Sequence, residues 1–243
     1  GFGTDSVVYA GASGFYAYAT GVFASGDELA FDNAGAIDAA VTGEFGRAAG
    51  AILRGYYDLI VYNSGEIHAS FTGGGTAVGL YARSWIGDVG VYNDGLISAE
   101  ADGVAVGLAI YTDDFGSIVN SGTIEAYGGD AGIAIWSYGL SSDIIYNYGT
   151  ITGSMSLGEG DDFFGNLEGG VWNASGDSDF GAGDDSIVNY GTINMSSASI
   201  AIGKCEKSGV PTLTAWMSLP ILSNITRKSW KRGTSGNCLR MSW

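Results

Sequence analysis

The chain has 243 residues, of which 42 are Gly and only two are Cys, and its formal net charge is −16. Residues 1–203 hold 25 acidic side chains and three arginines, and this net charge of −22 argues against nucleic acid or an anionic membrane surface as a partner. No apolar stretch approaches the roughly 20 residues of a membrane-spanning helix, so we expect no membrane span within the chain.

Along the chain, the first recurring feature is the motif Asn-X-Gly-X-Ile. Five copies start at separations of 30, 30, 27 and 27 residues, and a sixth copy follows after 42 residues. A degraded copy, residues 166–171, divides that last gap into 19 and 23 residues. Such a period predicts one supersecondary unit stacked on itself. The six motif asparagines are Asn33, Asn63, Asn93, Asn120, Asn147 and Asn189.

Between these motifs lie short runs of β-branched, aromatic and small residues, such as residues 58–62 and 117–119. A second landmark is a run rich in Ala and Gly, for example residues 77–80. Runs bounded by Gly, Asn and Asp are typical of strands and turns, and no helical period persists. We therefore predict two or three short strands in each unit, joined by Gly turns.

The motif residues have mechanical roles in this interpretation. Asn tolerates the left-handed backbone region, and Gly adopts positive φ without steric cost. If units stack at a spacing of roughly 4.8 Å, the motif asparagines align into a ladder of amide hydrogen bonds. The fold class predicted for residues 1–203 is all-β, a parallel β-helix of roughly seven coils. The alternative is a set of ordinary hairpins, although Asn-X-Gly is not the two-residue hairpin signal.

Two acidic motifs, Gly-Glu-Gly-Asp-Asp and Gly-Ala-Gly-Asp-Asp, match each other 23 residues apart. Stacking would place Asp161 near Asp184, and Asp162 near Asp185. Carboxylates that close repel each other unless a cation or a pKa shift intervenes, and Ca²⁺ takes six to eight oxygen ligands. We hypothesise a calcium site at these four residues. The alternative is a pair of exposed turns whose carboxylates point apart into solvent, with no cofactor required.

Composition changes abruptly after residue 203. Residues 204–243 carry a net charge of +6 and contain both Cys, both Pro and no copy of the repeat. One interpretation is a basic tail, and the other is translation in a shifted reading frame after Gly203. Under either interpretation we expect little or no regular structure there, and we assign the tail no function.

Catalysis is not expected from these residues. The only His is His68, which directly follows a repeat Ile and is predicted to face outward. A polysaccharide lyase would need a well-placed base, and the three arginines of residues 1–203 are scattered. A hydrolase would use paired carboxylates.

Three tyrosines, Tyr62, Tyr92 and Tyr146, each precede a repeat Asn, which predicts that they share one face of the solenoid. There they form a stabilising cross-coil stack or, alternatively, a platform for sugars.

Residues 120–124, 148–154, 157–162, 171–176 and 178–185 resemble the repeats of the passenger region of bacterial autotransporter proteins. The resemblance covers about residues 30–203. It implies a right-handed parallel β-helix that is exported through an outer-membrane β-barrel following it in the same polypeptide. The alternating strands of such a barrel are missing after residue 203. The chain also begins without Met in repeat-like sequence, so we expect an internal fragment of a longer protein.

The resemblance implies a non-enzymatic solenoid on the bacterial cell surface or secreted, acting as a stalk or adhesin. Its partner would be a host-cell or extracellular glycan or protein surface. Because the two acidic motifs also resemble the calcium-binding nonapeptide of RTX proteins, a calcium-binding RTX-like secreted protein is the first alternative. A polysaccharide-active β-helix enzyme is the second.

Overall fold

The computed structural model describes residues 1, 3, 6–202, 216–217, 229–232 and 239–242. The regular elements of these residues are β-strands, which we number β1–β22 in chain order and which form two sheets of 14 and eight strands. The strands of the smaller sheet, in stacking order, are β2 (Leu29–Asn33), β4 (Leu59–Asn63), β7 (Val89–Asn93), β10 (Phe115–Asn120), β13 (Ser142–Asn147), β16 (Phe163–Asn166), β18 (Ser186–Asn189) and β20 (Trp216–Met217).

The larger sheet holds the segments that follow each Asn-X-Gly turn. Its strands are β1 (Val7–Gly26), β3 (Ala36–Gly55), β5 (Glu66–Thr72), β6 (Thr76–Ser84), β8 (Leu96–Ala101), β9 (Val104–Tyr111), β11 (Thr123–Gly128), β12 (Ala131–Ser137), β14 (Thr150–Thr152), β15 (Ser154–Ser156), β17 (Val171–Asp179), β19 (Thr192–Ile202), β21 (Ser229–Arg232) and β22 (Leu239–Ser242). From β1 to β20 the paired strands are parallel, and each pairs with its equivalent in the next coil.

The predicted fold class, an all-β parallel solenoid, is therefore confirmed. A turn runs along one strand of the smaller sheet, passes through the Asn-X-Gly turn, and returns along two segments of the larger sheet. The structure contains about five turns, which is slightly fewer than the predicted number. Towards the C-terminal end the coils shorten to 19 and 23 residues.

The main core fills the inside of the solenoid. The motif isoleucines Ile37, Ile67 and Ile97 lie in register over one another, and each is almost completely buried. In the degraded copy, Trp172 takes the isoleucine position, where its indole N–H donates to the carbonyl of Gly153 at 3.0 Å. One apolar column thus continues through coils of different length.

A narrow extension of the cross-section lies beside this core, and we call it the alanine arm (residues 38–50, 68–79, 98–107 and 125–134). Its two strand segments pack closely, and most side chains between them are alanines, with the larger Val41 and Phe71 also buried there. The residues that share this second core include Ala39, Ala48, Ala69, Ala77, Ala99, Ala105 and Ala126. The Ala-rich landmark of the sequence is therefore a packing requirement.

The glycines of the same landmark mark the point where the two segments touch. A Cβ atom on Gly79 would lie 2.6 Å from the carbonyl oxygen of Gly107 and 2.7 Å from that of Ser98. Gly50 is equally constrained, since its Cβ would lie 2.6 Å from the Gly79 oxygen. Backbone contacts this short leave no room for a side chain at Gly50 and Gly79, whereas the coil of residues 125–134 carries Ala134 at the equivalent position.

The arm ends after the fourth turn. In the fifth turn, Gly153 alone, with φ of +132°, separates β14 from β15. Removal of the arm contributes to the shortening of the coil from 27 to 19 residues. The strand pairing on the smaller sheet continues across this change without a shift in register.

Three short strands lie beyond residue 203. β20 extends the smaller sheet beside β18, whereas β22 pairs antiparallel with β19 and β21. The prediction of little regular structure in residues 204–243, and its explanation by a shifted frame, otherwise fall outside the described residues.

The glycine contacts predict a position-specific effect. Gly79→Ala should lower the free energy of unfolding by about 1–3 kcal/mol, because the backbone must shift to admit the methyl group. Gly90→Ala is the matched control, since a Cβ there would meet no atom closer than 3.6 Å. Urea denaturation followed by circular dichroism would measure both changes, and equal losses in the two variants would contradict the role of the close contact.

Candidate functional site: stacked polar columns and an outer groove

The motif asparagines form a continuous ladder of side-chain amides. Asn63 is representative: its Nδ2 donates to Asn93 Oδ1 at 2.7 Å and also to the backbone carbonyl of Leu96 at 3.1 Å. The six predicted asparagines, Asn33, Asn63, Asn93, Asn120, Asn147 and Asn189, all lie in this column, joined by bonds of 2.7–2.8 Å.

Asn166 is a seventh member of the column, in addition to the six motif asparagines. It accepts from Asn147 at 2.8 Å and donates to Asn189 at 2.7 Å. Its signal in the sequence was the degraded motif that divides the longest gap. The column members from Asn33 to Asn166 are at most 1% exposed. The ladder therefore cannot meet a ligand, and its role is to hold the coils in register.

The two acidic motifs stack, but each Asp-Asp pair divides between two environments. The N–H of Asp184 donates to Asp161 Oδ1 at 2.8 Å, and both of these residues are exposed. The N–H of Asp162 donates to Asp185 Oδ1 at 3.0 Å, and both of these are buried. The predicted neighbours thus lie together across coils, while adjacent residues face opposite ways.

This division bears on the calcium hypothesis. Among the residues that the structure describes, no group of three or more His, Cys, Asp or Glu side chains is placed to hold a metal ion. Ca²⁺ takes six to eight oxygen ligands, which a pair of carboxylates on one side of the wall does not supply. The calcium site stays a prediction from the sequence.

The inner carboxylates extend into a third coil, because the N–H of Asp143 donates to Asp162 Oδ1 at 2.8 Å. Burial raises the pKa of Asp162 from 3.8 to about 9, and the charges of Asp143 and Asp185 act in the same direction. Burial also raises the pKa of Asp143 to about 6. Within the described residues, Oδ2 of Asp143 and of Asp162 has no hydrogen-bond partner. Earlier coils place Leu29, Leu59, Val89 and Gly116 at this register position.

The tyrosines before the repeat asparagines only partly stack. Tyr62 and Tyr92 are in register, with ring centroids 5.1 Å apart and planes 16° apart. Val119 occupies this position in the next coil, so Tyr146 is separated from Tyr62 and Tyr92. The Tyr146 ring instead contacts Phe163, with ring centroids 5.6 Å apart.

His68 is half-buried, and its Nδ1 lies 2.7 Å from Ser98 Oγ.

A groove of about 490 Å³ lies on the outer face of β6, β9 and β12. Tyr81, Ala109 and Trp136 occupy one register column of successive coils. Because Ala109 has a one-carbon side chain, it leaves a depression between two aromatic rings. Val78 and Val106, whose side chains point out of the solenoid, also line the groove.

Tyr138 covers part of this groove. Its ring lies 5.0 Å from Trp136 and 5.1 Å from Tyr111, and its hydroxyl donates to the Tyr81 hydroxyl at 2.9 Å. Burial raises the pKa of Tyr138, and the hydrogen bond to Tyr81 contributes to the rise. The aromatic wall therefore combines side chains from three successive coils.

Arg47 and Arg83, two of the three arginines in residues 1–203, lie beside these rings. The Arg83 guanidinium is sandwiched between Trp85, at 3.4 Å, and Tyr111, at 4.5 Å. Arg47 lines the groove itself and lies 5.7 Å from the Tyr81 ring, a distance suited to a cation–π contact. Burial lowers the pKa of Arg47, which marks a guanidinium that has lost part of its hydration.

No protein-family model, curated protein or solved structure matches this chain. The stacked coils are compatible with the β-helix of a passenger region. In the part of the chain that the structure describes, no helix has the length and apolarity needed to cross a membrane.

The asparagine ladder predicts a large effect of a single substitution. Asn93→Ala leaves the Asn63 side-chain amide without its acceptor and the Asn120 side-chain oxygen without its donor. The substitution should therefore lower the free energy of unfolding by at least about 2 kcal/mol. Asn194→Ala is the control, because Asn194 donates to Asn173 at 2.9 Å on the exposed surface. It should change stability by less than about 0.5 kcal/mol. Similar urea midpoints for the two variants would refute the dependence on burial.

The buried carboxylates predict a pH dependence. Since the Asp162 pKa is raised in the folded state, folding retains a proton that the unfolded chain loses above pH 3.8, and stability falls as pH rises towards about 9. Asp162→Asn should remove much of this fall, so its advantage in melting temperature over the unsubstituted protein should grow from pH 5 to pH 9. Asp184→Asn, at an exposed position, should run parallel to the unsubstituted protein. Parallel profiles for Asp162→Asn would refute the assignment.

Proposed function

We propose that this chain is part of a non-enzymatic bacterial surface solenoid of the autotransporter-passenger type, displayed outside the cell or secreted. Its stacked coils act as a stalk whose outer wall contacts a host-cell or extracellular glycan or protein surface. The proposal rests on the repeats that resemble passenger sequences together with the solenoid they form.

One observation carries the proposal: coils of 19 to 30 residues keep a single register along the buried asparagine ladder. Polar side chains that repeat in every coil are directed inward and satisfied by one another. The outward side chains make none of these ladder bonds and differ from coil to coil, as in the column of Tyr81, Ala109 and Trp136. This division of roles suits a rod that presents a surface, since the inner face maintains length and straightness while the outer face is free to differ.

The geometry gives less support to catalysis. Each Asp-Asp pair places one carboxylate inward, where Asp162 accepts from the N–H of Asp143 and Asp185 accepts from the N–H of Asp162. A hydrolase needs both carboxylates accessible to one substrate, where they flank its glycosidic bond. His68 is engaged with Ser98. We therefore favour a binding role over turnover of a polysaccharide.

Antibody labelling of intact cells of the source organism tests the surface location. Antibodies raised against the whole chain should label unpermeabilised cells, and brief external proteolysis should remove the label. An antibody against a cytoplasmic protein is the control for intact membranes. Labelling that requires permeabilisation would overturn the proposal.

Calcium separates the proposal from its RTX-like alternative. Far-UV circular dichroism of the purified chain in excess EDTA should show the same β-sheet signal as in millimolar calcium, because the ladder and core need no ion. A signal that appears only on addition of calcium would favour the RTX-like protein instead.

A further inference from the structure

The groove beside Arg47 is charged opposite to the rest of the solenoid. Residues 1–203 carry 25 acidic side chains, yet the side chains that act electrostatically on Arg47 are Tyr81, Tyr138 and Arg54. None of these three is a carboxylate. Arg47 Nε is buried and, among the described residues, has no hydrogen-bond partner. A half-buried guanidinium without a counter-ion attracts an anion more strongly than a hydrated surface arginine does.

The remaining lining of the groove restricts what that anion can be attached to. Tyr81, Tyr138 and Trp136 form an aromatic wall beside Ala109, and Trp136 is 40% exposed. Such a wall accommodates a partly apolar ring, as the C–H face of a pyranose provides. The Thr76 side chain, which also lines the groove, offers a hydroxyl for hydrogen bonds. A volume of about 490 Å³ lies within the range of small-molecule sites.

The charge of the whole solenoid limits the number of acidic groups on the ligand. A polymer with a carboxylate on every sugar would be repelled by the surrounding net charge of −22. A single carboxylate directed at Arg47 avoids most of that repulsion, because the arginine neutralises it locally. We infer that this groove binds a sugar that carries one carboxylate, of the hexuronic acid type, with the carboxylate on Arg47 and the sugar ring against the wall of Tyr81, Tyr138 and Trp136.

This binding site extends the proposed function by giving its outer wall a ligand class, but its test does not depend on surface location. Isothermal titration calorimetry of the whole chain with sodium D-glucuronate should give a measurable dissociation constant. The methyl ester of glucuronic acid keeps the ring and loses the charge. Its affinity should be at least about tenfold lower, as expected when a charge-assisted hydrogen bond is lost.

Two arginine variants separate the groove from general electrostatics. Arg47→Gln should weaken glucuronate binding at least about tenfold. Arg54→Gln removes the same charge from the exposed neighbouring arginine and should change affinity by less than about twofold. Trp136→Ala should weaken both glucuronate and its ester, because it removes one wall of the ring site. Melting curves of each variant show whether it is folded.

The inference is overturned by any of three results. The first is the absence of binding heat with glucuronate up to roughly 10 mM, which is tenfold above a millimolar dissociation constant. The second is equal affinity for the acid and its methyl ester. The third is an unchanged affinity for glucuronate in folded Arg47→Gln. If Arg47→Gln does not fold, the comparison of acid and ester on the unsubstituted protein decides alone. Cell labelling could succeed while all these measurements fail, so the two proposals are distinguishable.

Discussion

The fold depends on the ability of a buried asparagine to bond to a copy of itself. The side-chain amide carries both a donor and an acceptor, so each member of the column satisfies the member on either side. Asn93, for example, accepts from Asn63 and donates to Asn120. A shift of one coil by a single residue would break these bonds and would turn the inward isoleucines outward. Register, core and wall are therefore set by one repeated contact.

The carboxylate column shows what happens when the repeated group lacks a donor. An ionised Asp can only accept, and Asp162 accepts from the backbone of Asp143 through Oδ1 while Oδ2 has no partner among the described residues. Burial disfavours the charged form of Asp162, and the neighbouring charges of Asp143 and Asp185 add to this effect, so its pKa is raised and it retains a proton. The same stacking that stabilises amides makes the carboxylates sensitive to pH.

Local sequence was sufficient for the features that repeat. Asn-X-Gly-X-Ile predicted the solenoid, the column from Asn33 to Asn189 and the inward isoleucines, because each depends on spacing alone. The alanine arm was less accessible, since the landmark around Gly79 shows that small residues recur but not which backbone they touch. The groove was beyond sequence reasoning because Arg47, Tyr81 and Trp136 come from coils far apart along the chain. Only the register of the coils brings them to one place.

The loss of the arm after the fourth turn has a consequence for how such a chain can change. Coils of 30 and of 19 residues stack through the same amide contact, so up to 11 residues can be gained or lost in one coil while its neighbours keep their positions. The segment at the position of the alanine arm can thus vary in size from one coil to the next. A lineage of such rods could acquire new projections one coil at a time, with an unaltered spine.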